Sequence, residues 1–324
     1  MGSIPKIVST PLKWVSKKIL NHTLLRFPGG DAHQPMVCVY CPEMCRFSCP
    51  TAVVSANDAV TPCNKMGLLY KEETWPGKAT QGGPLWPIYD CTGCGRCTEY
   101  CVYDMPVALK LFEARKKYKW EEAEKAAARI TDAEDPVGDL ADELGDSANA
   151  KRRLEQFLKR QGSGGEKSRK VTEPKSLYFL QQNGVSAVLH WEKMLMNPSN
   201  SKMQLQKLKK TPWLLHESVW YNRHLGKTDV IKEWLKWAQG QGIQIQQPFA
   251  KGDDCIDCGG EGAYPYLFSE QARQMASDIW ERDKHTADGI LCVSARCAQH
   301  LRSSLGKVLG EKTPIIALSE LFPD

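Results

Sequence analysis

The runs Cys38-Val39-Tyr40-Cys41-Pro42-Glu43-Met44-Cys45-Arg46-Phe47-Ser48-Cys49-Pro50 and Cys91-Thr92-Gly93-Cys94-Gly95-Arg96-Cys97-Thr98-Glu99-Tyr100-Cys101 hold eight of the chain's thirteen cysteines. An iron–sulfur cube needs four thiolates converging from several directions. A C-x2-C-x2-C loop wraps three corners, and the fourth cysteine of the run swings away to the other cluster. On that rule Cys38, Cys41, Cys45 and Cys101 hold one [4Fe–4S] cluster. Cys91, Cys94, Cys97 and Cys49 hold the other. The exchange locks the two runs together and brings the cubes close enough for electrons to pass. A two-cluster module over residues 38–112 is the expectation.

Competing readings of these runs are weaker. Zinc needs only four ligands and is commonly held by two C-x2-C knuckles. Disulfides are disfavoured by an odd cysteine count, the lack of a visible secretory signal and a chain long enough to bury its own core. Two features depart from the usual run. Three residues, not two, separate Cys41 from Cys45, and Cys101 is followed by Val102 rather than proline. Both bear on which cysteine is the fourth ligand of each cluster. Cys63 falls outside both runs and reads as a small buried hydrophobe.

At 324 residues the chain has room for two or three domains. A hydrophobic content of 42% with 25% charged residues is that of a water-soluble globular protein, and no apolar stretch is long enough to span a bilayer. The net charge of +5 is too mild, and its lysines and arginines too dispersed, to argue for nucleic acid. Many cysteines without an export signal point to metal and to a reducing, cytoplasmic setting. Residues 1–37 read as an extension, with a short basic amphipathic helix over 11–20. Such a helix suits peripheral contact with the cytoplasmic face of a membrane, or packing on a partner subunit or on its own domain. Met1-Gly2-Ser3-Ile4-Pro5-Lys6 lacks the hydroxyl residue of a myristoylation signal.

Between the runs, residues 75–87 read as a Pro/Gly-rich loop. Residues 113–174 read as a charged helix, an acidic stretch at 132–146 and a flexible linker at 160–168. Glu166 precedes Lys167 where a phosphate loop needs glycine, which excludes nucleotide binding there. From 175 to 324 the texture becomes α/β. Strands are expected at 176–180, 211–216, 243–245, 289–293 and 314–318, with helices at 229–238, 269–280 and 298–309. Alternation of this kind builds a parallel layer, so the whole chain is expected to be an α+β, multi-domain protein.

The α/β region carries four further cysteines, in Cys255-Ile256-Asp257-Cys258-Gly259-Gly260 and Cys292-Val293-Ser294-Ala295-Arg296-Cys297. Each pair follows a strand or a glycine-rich turn, where α/β proteins gather ligands. Together with His216-Glu217-Ser218-Val219, Arg223-His224-Leu225-Gly226 and Ile315-Ile316-Ala317-Leu318-Ser319-Glu320-Leu321, these residues resemble the heterodisulfide-reductase-related iron–sulfur family. That family joins a helical two-cluster ferredoxin module to cysteine-rich CCG domains. The resemblance spans 38–101 and roughly 213–321. It implies an electron-transfer subunit of a larger oxidoreductase, with a flavin or quinone site on a partner. This chain departs from the pattern. Asp257 stands where the first cysteine of the CCG pair belongs, Cys255 lies two residues upstream of it, and one CCG repeat is visible rather than two. Cys255, Cys258, Cys292 and Cys297 still make a full thiolate set for a third cluster, with zinc, or a vestigial or redox-disulfide site, as the alternatives. His216 and His224 read as structural, and Trp220, Trp234, Trp237 and Trp280 as residues that seal a cluster from water.

A catalytic, heterodisulfide-reductase-like subunit is the enzyme alternative. A binding or regulatory protein with structural clusters is the other. The chain shows no dinucleotide fingerprint and no acid/base or nucleophile constellation of its own.

Overall fold

A computed structural model describes residues 34–41, 43–79, 85–127, 169–182, 184–200, 203–284, 286–309 and 313–322. The amphipathic helix expected at 11–20, the acidic stretch at 132–146 and the linker at 160–168 lie outside the described residues.

The first half is built of short helices: α1 (Gln34–Tyr40), α2 (Pro50–Ser55), α3 (Pro62–Thr74), α4 (Arg96–Glu99), α5 (Val107–Lys117) and α6 (Glu121–Ala127). Proline opens both α2 and α3, where its fixed φ suits a first turn and its missing N–H costs nothing. Helices this brief cannot persist on propensity, so packing must hold them. Their common interior holds Met66, Leu69, Ile88, Val107 and Leu111 together with Cys38, Cys45, Cys63 and Cys97. Cysteine therefore supplies a large part of this core.

The second half opens with a parallel ribbon of β1 (Arg169–Val171) and β2 (Ala187–Leu189), joined through α7 (Pro174–Gln182). β1 lies ahead of the boundary expected at 175. The strand expected at 176–180 is instead helical and falls inside α7. The apolar run misled because it is short. Leu177 and Leu180 are buried three residues apart on one helical face, and Pro174 supplies the helix start.

After α8 (Glu192–Met196), the chain runs through β3 (Trp213–His216), α9 (Thr228–Gly240), β4 (Ile245–Gln246), α10 (Tyr264–Leu267) and α11 (Ser269–Asp283). It ends with β5 (Gly289–Cys292), α12 (Ala295–Leu309) and β6 (Ile315–Ala317). The sheet order is β4-β3-β5-β6, and every pairing is parallel, as the alternating pattern predicts. β3 and β5 are buried along their whole length, which explains their continuous apolar runs. One core, with Trp191, Trp213, Trp234 and Leu291, fills one side of the sheet, and a second, with Ile279, Ile290, Leu301 and Leu305, fills the other. The molecule is thus a mixed helical and parallel-sheet protein. Among the described residues, no helix is long and apolar enough to cross a membrane.

α11 joins the halves. It packs against both α2 and α12. Tyr264, Phe268, Ala272 and Met275, from α10 and α11 and the residue between them, lie in the cysteine-lined core of the first half.

Candidate metal centres

The first group gathers five thiols. Cys38 lies in α1, Cys41 just beyond it, Cys45 in a 3-10 turn at Met44–Ser48, Cys63 at the second residue of α3, and Cys101 after α4. Each is close enough to others of the group to perturb their ionisation. Burial pushes the Cys38 thiol up to about 12, and Cys41, Cys101 and Cys63 add to the rise. Cys45 and Cys63 act most strongly on each other, Cys45 being raised and Cys63 lowered to about 7. Backbone N–H groups already aim at these sulfurs. Glu43 N donates to Cys41 Sγ at 3.4 Å and Met105 N to Cys101 Sγ at 3.5 Å. Glu43 makes its bond from a left-handed backbone, φ 57°, which a non-glycine residue adopts only under constraint.

The second group is Cys49, Cys91, Cys94 and Cys97, the set expected from the exchange of last cysteines. All four line one cavity, with Thr51, Lys65 and Leu111 in its walls. Burial pushes Cys94 up to about 12 and Cys97 well above the usual thiol value, with neighbouring cysteines reinforcing the latter. Cys97 also perturbs Cys45, so the two groups are neighbours. Four converging thiols, three of them buried, cannot all ionise without a cation among them. That donor chemistry, together with the cavity the four thiols enclose, fits a thiolate-ligated metal cluster.

Buried cations brace the loop that carries Cys91 and Cys94. Arg115, 2% exposed, donates to Ile88 O at 2.9 and 3.0 Å and to Cys91 O at 2.8 Å. Lys65, 1% exposed, donates to Asp90 O and to Thr51 Oγ1. From the second half, a π-turn at Trp220–His224 sends Arg223 onto the carbonyls of Cys94, Asp253 and Cys255, and brings His224 Nε2 to 2.9 Å from Gly93 O. Burial holds His224 down at about 4, so it stays neutral in that contact. Gly93 has φ 77°, and a Cβ there would sit 2.3 Å from Phe112 Cζ, so only glycine fits. Its N–H bonds Cys91 Sγ at 3.4 Å.

The third group differs from the four cysteines expected. His216, Cys258 and Cys297 place their ligand atoms within 4.8 Å of one another, all buried. His216 ends β3 and pairs in register with Cys292, which ends β5. Cys297 lies in the first turn of α12, whose start is capped by Glu173 through Ser294 Oγ at 2.6 Å and Ala295 N at 2.8 Å. The group therefore sits at the carboxyl ends of parallel strands, where ligand sites collect. Cys292 shares an apolar cluster with Cys258 and Cys297, whereas Cys255 packs with Cys94, Phe112, Val219 and Trp220 beside the second group. Gly259 lets the loop approach α11, because a Cβ there would lie 2.9 Å from Ala272 Cα.

Cys258 is held well below the ordinary thiol value, first by its hydrogen bond with Cys297 and then by His216, and the same bond raises Cys297. Burial pulls His216 down, but Cys258, Asp257 and Glu217 outweigh it and leave it raised. Asp257 is pushed up to about 7 by burial and by Cys258. His216 Nε2 is buried without a hydrogen-bond partner, an orphan that a metal would satisfy. In a tetrahedral zinc site, thiolates about 2.3 Å from the ion stand about 3.8 Å apart. The trio's spacing suits a single ion. Beyond Gly260 an open cleft of about 460 Å³ is lined by Tyr266, Arg273, Arg296 and His300, among others.

Spacing alone points to the eight run cysteines and to Cys255, Cys258, Cys292 and Cys297. It did not single out His216, whose ring nitrogen the fold brings within 4.8 Å of the sulfurs of Cys258 and Cys297. Cys63 is buried in an apolar core, as expected, which it shares with Cys38, Cys45 and Cys97. Spacing also missed Lys65, Arg115 and Arg223, which as isolated basic residues carry no sequence signal. No family model matches the chain, and comparisons with curated proteins and with solved structures find no similar protein.

Proposed function

We propose that this chain is an iron–sulfur electron-transfer subunit of a multi-subunit oxidoreductase, built on the plan of the heterodisulfide-reductase-related family. In this reading a helical two-cluster ferredoxin module precedes a CCG-like α/β domain. The observation that carries it is the exchange of last cysteines: Cys49 joins the thiols of the second run, and Cys101 those of the first. Bound there, two [4Fe–4S] clusters would each take up and pass on one electron.

The chain's own residues do the rest. Cys38, Cys41, Cys45 and Cys101 hold the first cluster, and Cys49, Cys91, Cys94 and Cys97 the second. Lys65 and Arg223 offset negative charge at the second, while Phe112 and Trp220 keep water from it. Cys41 is only half-buried, and the exposed apolar residues Tyr40, Met44 and Phe47 flank it in sequence. That face suits electron exchange with a partner carrying flavin or a quinone site. Residues 1–37 would provide peripheral contact at the cytoplasmic face of a membrane.

The third centre is metal held by His216, Cys258 and Cys297. Its compact mixed donor set favours one ion over a third cluster. The cleft beside Gly260 supports a second reading, in which this centre acts on a small substrate as a catalytic subunit. Anaerobic purification with iron, sulfide and zinc quantitation, followed by EPR of the reduced protein, tests the proposal. About eight irons per chain, with one further metal, is the expected result, counting four per cubane. About twelve irons would restore the third cluster. Zinc throughout, without sulfide, would refute the electron-transfer reading. Turnover by the isolated, loaded chain with a low-potential donor would establish the catalytic one.

A further inference from the structure

We propose that the cleft beside Gly260 binds a small organic dianion, a phosphate monoester or a dicarboxylate, with its negative charges on Arg273 and Arg296. The inference rests on the second reading above, in which the third centre acts on a small substrate, and it names the class of that substrate.

The cleft holds about 460 Å³, room for a small molecule. Ser269 and Arg273 of α11 line one part of it, and Arg296, Gln299 and Ser303 of α12 another. No carboxylate lines the cleft, so its wall is positive, and its serines and glutamine offer further hydrogen bonds. Arg273 Nε donates to Ser269 O at 3.3 Å, and among the described residues no carboxylate pairs with its guanidinium. A guanidinium meets a carboxylate or a phosphate through two parallel N–H bonds, and a pair of guanidinium groups matches a ligand with two negative charges.

The cleft and the third centre share two chain segments. Gly260 lies two residues after Cys258, and Arg296 directly precedes Cys297. A Cβ on Gly260 would sit 3.3 Å from Cys258 Sγ and 2.7 Å from His300 Cβ, so this wall of the cleft is bare backbone packed against the sulfur. His300, 7% exposed, donates Nε2–H to Ala272 O at 3.2 Å and so ties α12 to α11. The two arginine-bearing helices are thereby held at a set spacing before any ligand arrives, which lowers the ordering cost of binding. His216, Cys258 and Cys297 make a three-ligand set, the pattern that leaves a bound metal one position for substrate. A dianion seated on the arginines stands beside that set.

Calorimetric titration of the full chain, purified anaerobically with its metals, tests the site. The probes are malonate and phenyl phosphate, with acetamide as the neutral control. Saturable binding of at least one dianion, and none of acetamide, is expected. Arg273→Gln and Arg296→Gln should each weaken it about tenfold, the loss of a charge-assisted hydrogen bond. Lys232→Gln removes the same charge from an exposed position on α9 and should leave binding unchanged. Tighter binding of malonate would identify a dicarboxylate site, and tighter binding of phenyl phosphate a phosphate-monoester site. Failure of both dianions to bind overturns the proposal, as does equal weakening by Arg273→Gln and Lys232→Gln. Arg273 is exposed, so its replacement spares the core, and Arg296→Lys repeats the second arm if Arg296→Gln does not fold. X-ray absorption at the edge of the third centre's metal reports separately on the catalytic reading. An Arg273-dependent site whose filling leaves that edge unmoved would refute the catalytic reading and support the dianion site.

Discussion

The two halves of the molecule solve the problem of an interior in opposite ways. Residues 169–322 bury a parallel sheet between helices, with large apolar side chains on both faces. Residues 34–127 have no strand among the described residues, and their helices run from four to thirteen residues. Their core is part aliphatic and part sulfur. One half can be stable through burial alone. The other converges on thiols that must either stay protonated or receive metal, and its fold is coupled to that choice. What joins them is a seam of rings and charge: Trp220 stacks on His224 at 4.1 Å and on Phe112 at 6.3 Å, while Arg223 grips the Cys94 loop.

Removing metal should break the comparison most visibly. Structural metal sites contribute on the order of 10 kcal/mol to the folding of their domains. Stripping the chain with acid and chelator should abolish amide protection across α1 to α5 while β3, β5 and α12 stay protected, as hydrogen exchange would reveal. Uniform loss in both halves would mean that they fold as one unit. Next, Trp220→Ala should cost about 3–5 kcal/mol, the usual range for deleting a large buried ring. Chemical denaturation should then resolve two transitions where the parent shows fewer, because the seam is lost. Arg223→Ala removes charged donors from three carbonyls and should cost about 2–3 kcal/mol, with faster exchange at Gly93 and Gly95 as the specific readout. The smallest effect is electrostatic. Lys65→Met takes a buried positive charge from the wall of the second cavity. The potential of that centre should fall by about 60 mV, a tenfold shift for a one-electron couple. An unchanged potential in a redox titration followed by EPR would show that Lys65 serves the fold alone.

Much of this was legible in the chain. The exchanged cysteine runs are local patterns with a long-range meaning, and the parallel layer follows from strands alternating with helices. The residues missed share a physical cause. Cys63 and His216 become neighbours of other cysteines only through tertiary packing, so spacing along the chain carries no trace of them. Lys65 and Arg115 are basic residues on short helices, which sequence assigns to solvent, yet backbone carbonyls of the cysteine loop satisfy both inside the core. α7 was lost for a different reason. Its apolar run is too short to tell a 3.6-residue period from a two-residue one. Cys255 was grouped with Cys258 by proximity in sequence, but the two side chains pack in different groups of buried apolar residues.

α11 has a consequence for timing and distance. A fifteen-residue helix is a rod about 22 Å long. This rod touches both α2, which begins directly after Cys49, and α12, which carries Cys297. A single stiff member thus serves as a gauge block between two centres. Thermal motion that displaces one must carry the other along, which keeps the gap between them nearly constant. Where charge must cross a fixed gap, such rigidity keeps the hopping rate steady from one molecule to the next.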